Sequence, residues 1–185
     1  MIKEILSNMN TRMTKTIKVL NAELGSMKAG RANPKMLDKL EAEYYGSMTP
    51  LSQLANISVP EPRILLITPY DKAALKDIEK SILKSDLGLN PSNDGNVIRL
   101  MISELTEETR KNLVKTIKKT GEDSKVALRA VRHDTLNKLK ALKKENEITE
   151  DEVKDAEKDL QKEIDKFVKQ IDSLISAKEK DVMEV

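Results

Sequence analysis

Lys111, Lys115, Lys118, Lys125, Arg129 and Arg132 recur at steps of four, three, seven, four and three. On an α-helix that spacing keeps all six near one track. A row of lysine and arginine attracts a polyanion. Arg129 and Arg132, one turn apart, can fork onto phosphate oxygens, for which a guanidinium suits better than an ammonium. A charged helix face is often only a solvated surface, so its surroundings decide. Glu122 is the only acid on the track. Residues 106–144 carry twelve Lys or Arg against five Asp or Glu, and residues 145–185 carry seven against fourteen. Two neighbouring segments therefore hold about +7 and −7, while the whole chain sums to +2. The basic segment suits RNA or DNA and the acidic one repels them, which points to oriented docking rather than catalysis.

Other reactive residues give no site. His133 is the only histidine and stands between Arg132 and Asp134. Consecutive helix residues point in different directions, so the three cannot act together. The carboxylates of residues 145–185 are spread round a helix exterior, with no pair singled out. There is no cysteine, no metal-ligand spacing, no nucleophile–base arrangement and no phosphate-cradling Gly-rich loop. No catalytic residue, metal, cofactor or small-molecule substrate is expected. Tyr44-Tyr45 could stack on bases, but a strand puts the two on opposite faces, so phosphate contact is the stronger reading.

The elements that position these residues follow from patterning. The chain is 35% charged and 2% aromatic, so its core must be Leu, Ile, Val and Met, which suits long helices with thin seams. Ile2, Ile5, Leu6, Met9, Met13, Ile17, Leu20, Leu24 and Met27 form one helical stripe, stopped by Gly30, with Pro34 closing the exit. Residues 31–105 differ in texture, holding all three Tyr and all six Pro. Strands are predicted over Leu37–Tyr45, Gln53–Val59, Arg63–Thr68 and Val97–Ile102, the last following a tight turn at Asn93-Asp94-Gly95. A helix is predicted over 72–87, capped by Asp71, with Ala74, Leu75, Ile78, Ile82 and Leu83 on one face.

Helical patterning returns at Thr106, a good N-cap. Leu113, Ile117, Leu128, Val131, Leu139 and Leu142 mark its apolar face, and Gly121 suggests a kink. After a turn at Asn146–Thr149, Thr149 with Glu152 forms a capping box. A last helix follows, with Val153, Ala156, Leu160, Ile164, Phe167, Ile171 and Leu174 as its seam. The methionines are expected mostly in the core. Three helices apolar on one stripe each must share a core. The fold class is therefore α+β: an elongated three-helix bundle, residues 1–30 and 106–185, with a small mixed α/β (β/α/β) domain, residues 31–105, inserted through hinges near 30–34 and 102–105. The molecule is expected to be bent, with arms that change angle. No run approaches the roughly 18–20 apolar residues of a membrane span. The start has neither signal-peptide nor transit-peptide character, so a cytoplasmic chain is expected.

Several segments go beyond general physics. Gly30-Arg31-Ala32-Asn33-Pro34, Glu43-Tyr44-Tyr45-Gly46 and Thr49-Pro50-Leu51 closely resemble the bacterial ribosome recycling factor family. So do Ser85-Asp86-Leu87-Gly88-Leu89-Asn90-Pro91, Ile98-Arg99-Leu100 and Leu105-Thr106-Glu107-Glu108. The likeness continues through Arg129, Val131-Arg132, Asp134, Ile148 to Glu152 and Lys178-Glu179.

The resemblance implies an L-shaped molecule of transfer-RNA-like dimensions that binds the post-termination ribosome through large-subunit ribosomal RNA. With elongation factor G and GTP it would help separate the subunits and free messenger and transfer RNA. It further implies that Arg110, Arg129 and Arg132 contact ribosomal RNA, beside Lys118 and Lys125 of the basic stripe. Gly30, Arg31, Asn33 and Pro34 match the family's hinge. Members often carry Arg at the places of Thr109 and His133 and Asn at that of Ala130, so this RNA surface is thinner. They usually have prolines where Ser103 and Glu104 stand, so this strand of the hinge is expected to bend more freely. A monomer is expected. The competing readings are a general RNA-binding helical protein, which would bind naked RNA, and a coiled-coil adaptor, whose seam would drive oligomers.

Overall fold

The structure is a computed structural model that describes residues 1–27 and 30–184. The chain separates into two compact units, Met1–Leu24 with Asn112–Lys180 and Gly25–Lys111 with Asp181–Val185. No helix among the described residues is long and apolar enough to cross a membrane.

The first unit is helical. It is built from α1 (Ile2–Ser26), most of α4 (Glu107–Lys144) and most of α5 (Glu150–Met183). On α1 the apolar stripe buries Met9, Met13, Leu20 and Leu24. α4 buries Ile117, Gly121, Ser124, Leu128, Val131, Thr135 and Leu139, at steps of three and four. The hydroxyl of Thr135 donates to the Val131 carbonyl at 2.8 Å, so its burial leaves no polar group unsatisfied. α5 supplies Val153, Ala156, Leu160, Ile164, Phe167 and Ile171. Ile148 closes one end against Leu139, Val153 and Ala156, with Ile2, Ile5 and Leu142 packed alongside.

Polar ties join the helices in pairs. Arg12 reaches Asp134 at 2.9 Å between α1 and α4, and Lys125 reaches Asp172 at 2.7 Å between α4 and α5. Asn10 donates to Glu163 at 3.3 Å between α1 and α5.

α4 runs unbroken through Gly121, where a kink was expected. The glycine serves a close approach instead: a Cβ there would lie 2.7 Å from Cγ1 of Ile175 on α5. α4 ends in a Schellman arrangement, with Asn146 at φ 57° and the Glu147 amide donating to the Leu142 carbonyl at 3.0 Å. The capping box starts α5 as predicted. The Thr149 amide donates to Glu152 at 2.7 Å, and the Glu152 amide donates to the Thr149 hydroxyl at 3.2 Å.

The second unit holds an antiparallel sheet in the order β3 (Ala55–Glu61), β4 (Ile64–Pro69), β6 (Ile98–Met101), β5 (Pro91–Asn93). A separate hairpin pairs β1 (Glu41–Tyr44) with β2 (Ser47–Pro50). Leu65, Ile67, Ile98 and Leu100 of the sheet share one core with Leu75, Ile78 and Ile82 of α3 (Leu75–Lys84). Asp71 caps this region as expected, accepting from the Ala73 amide at 2.9 Å. That bond and the Tyr44 hydroxyl hold the Asp71 carboxyl below its ordinary range.

Sequence patterning erred in several places, and the strands β2 and β5 were not predicted. Leu37 ends a 3-10 turn, Pro34–Leu37, so the first strand starts only at Glu41. Leu51–Leu54 form one turn of helix, α2, because a spacing of three buries both leucines, whereas strand spacing would part them. Leu83 is exposed, one residue round from the buried face. Only Met9, Met13 and Met36 are buried, while Met1, Met48, Met101 and Met183 are exposed.

Gly121→Ala is expected to lower stability by about 1 kcal/mol, because overpacking of about 1–3 kcal/mol outweighs a helix-propensity gain of about 1 kcal/mol. In an Ile175→Ala background the same change should raise stability. Thermal melts read both signs, and a higher Tm for the single variant would contradict the close approach. The Glu152 carboxyl is held below its ordinary range by the Thr149 amide and then its hydroxyl. A depressed folded pKa gives stability present above the unfolded pKa and lost as pH falls through the folded one. The stability gap between the parent chain and Glu152→Gln should therefore close below about pH 4 in urea titrations. A gap that stays constant with pH would contradict this.

Candidate RNA-binding surface

Burial of one stripe turns the basic track of α4 outward. Lys115, Lys118, Arg129 and Arg132 are exposed and make no ion pair among the described residues. Arg129 and Arg132 are one turn apart, about 5 Å along the axis, so both guanidinium forks can meet one phosphate strand. Lys111 is also exposed but pairs with Glu107 at 3.0 Å. Glu122, the acid on the track, turns toward Lys125 at 3.7 Å.

Lys125 has a different setting from its neighbours. It is half-buried and donates to Asp172 at 2.7 Å, which raises its pKa above the ordinary lysine value despite some desolvation. Its charge is partly neutralised within the bundle. Arg110 is set apart too. It lies about 100° round the helix from Arg129 and belongs to the second unit, half-buried in a cleft with Gly30, Arg31, Pro62, Arg63, Glu104 and Leu105. The structure thus brings Lys118, Arg129 and Arg132 onto one open face and leaves Arg110 off it.

His133 is exposed, and its neighbour Asp134 is turned to Arg12 of α1, away from the track of Arg132. No group of three or more His, Cys, Asp or Glu that could hold a metal is found among the described residues. The two tyrosines differ for a reason other than strand alternation. Tyr45 leaves the strand in a turn, with φ 48°, ahead of Gly46 at φ 80°, and is 83% exposed. Tyr44 is half-buried, and its hydroxyl donates to Asp71 at 2.9 Å. The rings meet edge to face with centroids 4.5 Å apart.

The segments expected to act as hinges are pinned to one turn within the second unit. The Ala32 amide donates to the Pro62 carbonyl and the Ile102 amide to the Arg63 carbonyl, both at 2.7 Å. Gly30 has φ 76°, a conformation that suits glycine. Asn33 is extended and caps the 3-10 turn, accepting from the Lys35 amide at 3.0 Å, with Pro34 at its first position. Ser103 is exposed, and Glu104 pairs with Arg63 at 3.0 Å. Sequence reasoning gave no sign of the roles of Arg63 and Asp172. Their partners lie tens of residues away, and only the fold joins them.

The fold defines an α+β protein with a helical bundle and a separate sheet unit. A family model described as Ribosome recycling factor matches residues 20–183. The chain is 63% identical over 185 residues to the ribosome-recycling factor of Clostridium acetobutylicum, covering 100% of both chains. It is 64% identical over 183 residues to that of Clostridium kluyveri, covering 99% of each. A solution structure of the ribosome recycling factor superposes with a TM-score of 0.82 at 37% identity, covering 100% of this chain and 98% of that one. A chain from the assembly of T. thermophilus ribosome recycling factor and E. coli elongation factor G on the E. coli post-termination complex gives a TM-score of 0.68 at 43% identity, covering 98% of each. The chain belongs to the ribosome recycling factor family.

Asp172→Ala should free Lys125 and delay elution from a heparin column more than Asp151→Ala, which removes the same charge elsewhere on α5. Equal delays would show that the Lys125–Asp172 pair does not restrain the lysine.

Proposed function

We infer that this chain recycles ribosomes after termination. It docks on the post-termination ribosome and, with elongation factor G and GTP, promotes subunit separation and release of messenger and transfer RNA. The observation that carries this reading is the match along the whole chain to ribosome-recycling factors. The structural relative seated with elongation factor G on a post-termination complex supports it. The role is one of binding, and GTP hydrolysis belongs to the partner. Action on the ribosome supports a cytoplasmic location.

Arg129 and Arg132 are the principal anchors to large-subunit RNA in this reading, with Lys118 beside them. Lys125 contributes after exchange of its Asp172 partner, and Arg110 acts from its separate cleft. Contacts of this kind neutralise phosphates and release counterions, so affinity falls steeply with salt. The translocase pushes on the α/β unit while the bundle holds the RNA, and residues 30–34 and 102–105 flex only as the Ala32–Pro62 and Ile102–Arg63 bonds give way.

Light scattering of post-termination ribosomes mixed with this protein, elongation factor G and GTP should fall only when all three are present. Scattering that holds steady with a matched factor G and a folded monomer would overturn the reading in favour of general RNA binding. Arg129→Ala/Arg132→Ala should keep its helical circular dichroism and bind large subunits at least about tenfold more weakly, as loss of two phosphate contacts requires. Unchanged affinity would remove these arginines from the interface.

A further inference from the structure

A broad groove of the helical unit runs between α1 and α5, away from the α4 track. Lys3, Lys15 and Lys18 of α1 and Lys162, Lys166 and Lys169 of α5 line it. A smaller hollow with Ile17, Asn21 and Ser173 extends it past Lys169. From Lys3 to Asn21 the groove follows α1 for about 27 Å. α5 lies within the acidic segment, yet lysines gather on this rim.

Ion pairing sharpens the contrast. The groove's acids are Asp159, Glu163 and Asp165. Glu163 is engaged by Asn10 at 3.3 Å and by Lys166 at 3.1 Å, and Asp165 accepts from Gln161 at 2.9 Å. Lys3, Lys15, Lys18, Lys162 and Lys169 are exposed and make no ion pair among the described residues. The groove therefore presents five uncommitted lysines against two carboxylates, Asp159 and Asp165, that no cation pairs among the described residues. Among the described residues no aromatic side chain lines it, and the apolar lining is Leu6, Ile17 and Leu174. A protein partner draws its binding energy from buried aromatic and apolar anchors, which are scarce here. A phosphate backbone needs only a row of cations.

We propose that the α1/α5 groove is a second phosphate-binding surface that holds a segment of ribosomal RNA on a different side of the bundle from Arg129 and Arg132. This rests on the reading of the chain as a ribosome-binding factor. The bundle would then be gripped between two RNA segments, and its affinity would depend on both faces.

The test is equilibrium binding of the full chain to large ribosomal subunits over a range of salt. The variants are Lys15→Glu/Lys18→Glu, Lys162→Glu/Lys169→Glu and Arg129→Ala/Arg132→Ala, with Lys72→Glu/Lys76→Glu as a charge-matched control on exposed residues of the α/β unit. Each groove variant should bind at least about tenfold more weakly than the control, and its log K against log salt slope should be shallower by about 1.5–2, as two lost phosphate contacts require. Groove variants that bind like the control, while the α4 variant weakens, would overturn the proposal and leave the recycling reading intact. Weaker binding with an unchanged salt slope would mark a protein contact and also overturn it. Loss in the groove variants alone would support the groove and remove the α4 anchor instead.

Discussion

Burial of one stripe on α4 sets the direction in which every charged residue of that helix can point. Ile117, Leu128, Val131 and Leu139 face the core, and Gly121 lets α5 come close enough for Ile175 to fill the space above it. With that face fixed, Asp134 turns to Arg12 on one side and Lys125 to Asp172 on the other. Arg129 and Arg132 are left outward without an ion pair among the described residues. Surface ion pairs of this kind add little stability each. Their consequence lies in sorting charge: acids are drawn into ties between helices, and cations remain exposed where a polyanion can reach them.

A comparable economy shapes the sheet unit. The turn at Pro62-Arg63 joins β3 to β4, and its two carbonyls receive the amides of Ala32 and Ile102. Two segments of the unit that are distant in sequence, near Ala32 and near Ile102, are thereby fixed at one place. The family resemblance leads one to expect prolines where Ser103 and Glu104 stand, and here Glu104 is paired with Arg63 instead. A proline restricts φ under all conditions, whereas an exposed ion pair weakens with salt. The restraint on this segment is therefore of a different physical kind.

Signals carried by neighbouring residues were readable in the sequence. Thr106, Asp71 and the Thr149/Glu152 box cap helices through bonds spanning two or three residues, and each forms as expected. The long apolar stripes were equally plain, because a period near 3.6 repeated many times leaves no alternative. Signals that depend on distant partners were not readable. Gly121 reads as a helix defect until Ile175, 54 positions later, is seen above it. Lys125 and Arg129 are alike in sequence, and only the approach of Asp172 separates them. The hairpin at Tyr45-Gly46 was missed because its turn needs Tyr45 at positive φ, an uncommon conformation for an aromatic residue. The α5 lysines were hidden by the acidic total of their segment, which says nothing about which rim they occupy.

The central claim is that the arginine pair on α4 holds large-subunit ribosomal RNA. Electron cryomicroscopy of this protein on post-termination ribosomes tests it most directly. The account predicts the Arg129 and Arg132 guanidinium groups within hydrogen-bonding distance, about 3 Å, of ribosomal RNA phosphate oxygens. A bundle seated with that face toward solvent or toward ribosomal protein would contradict it.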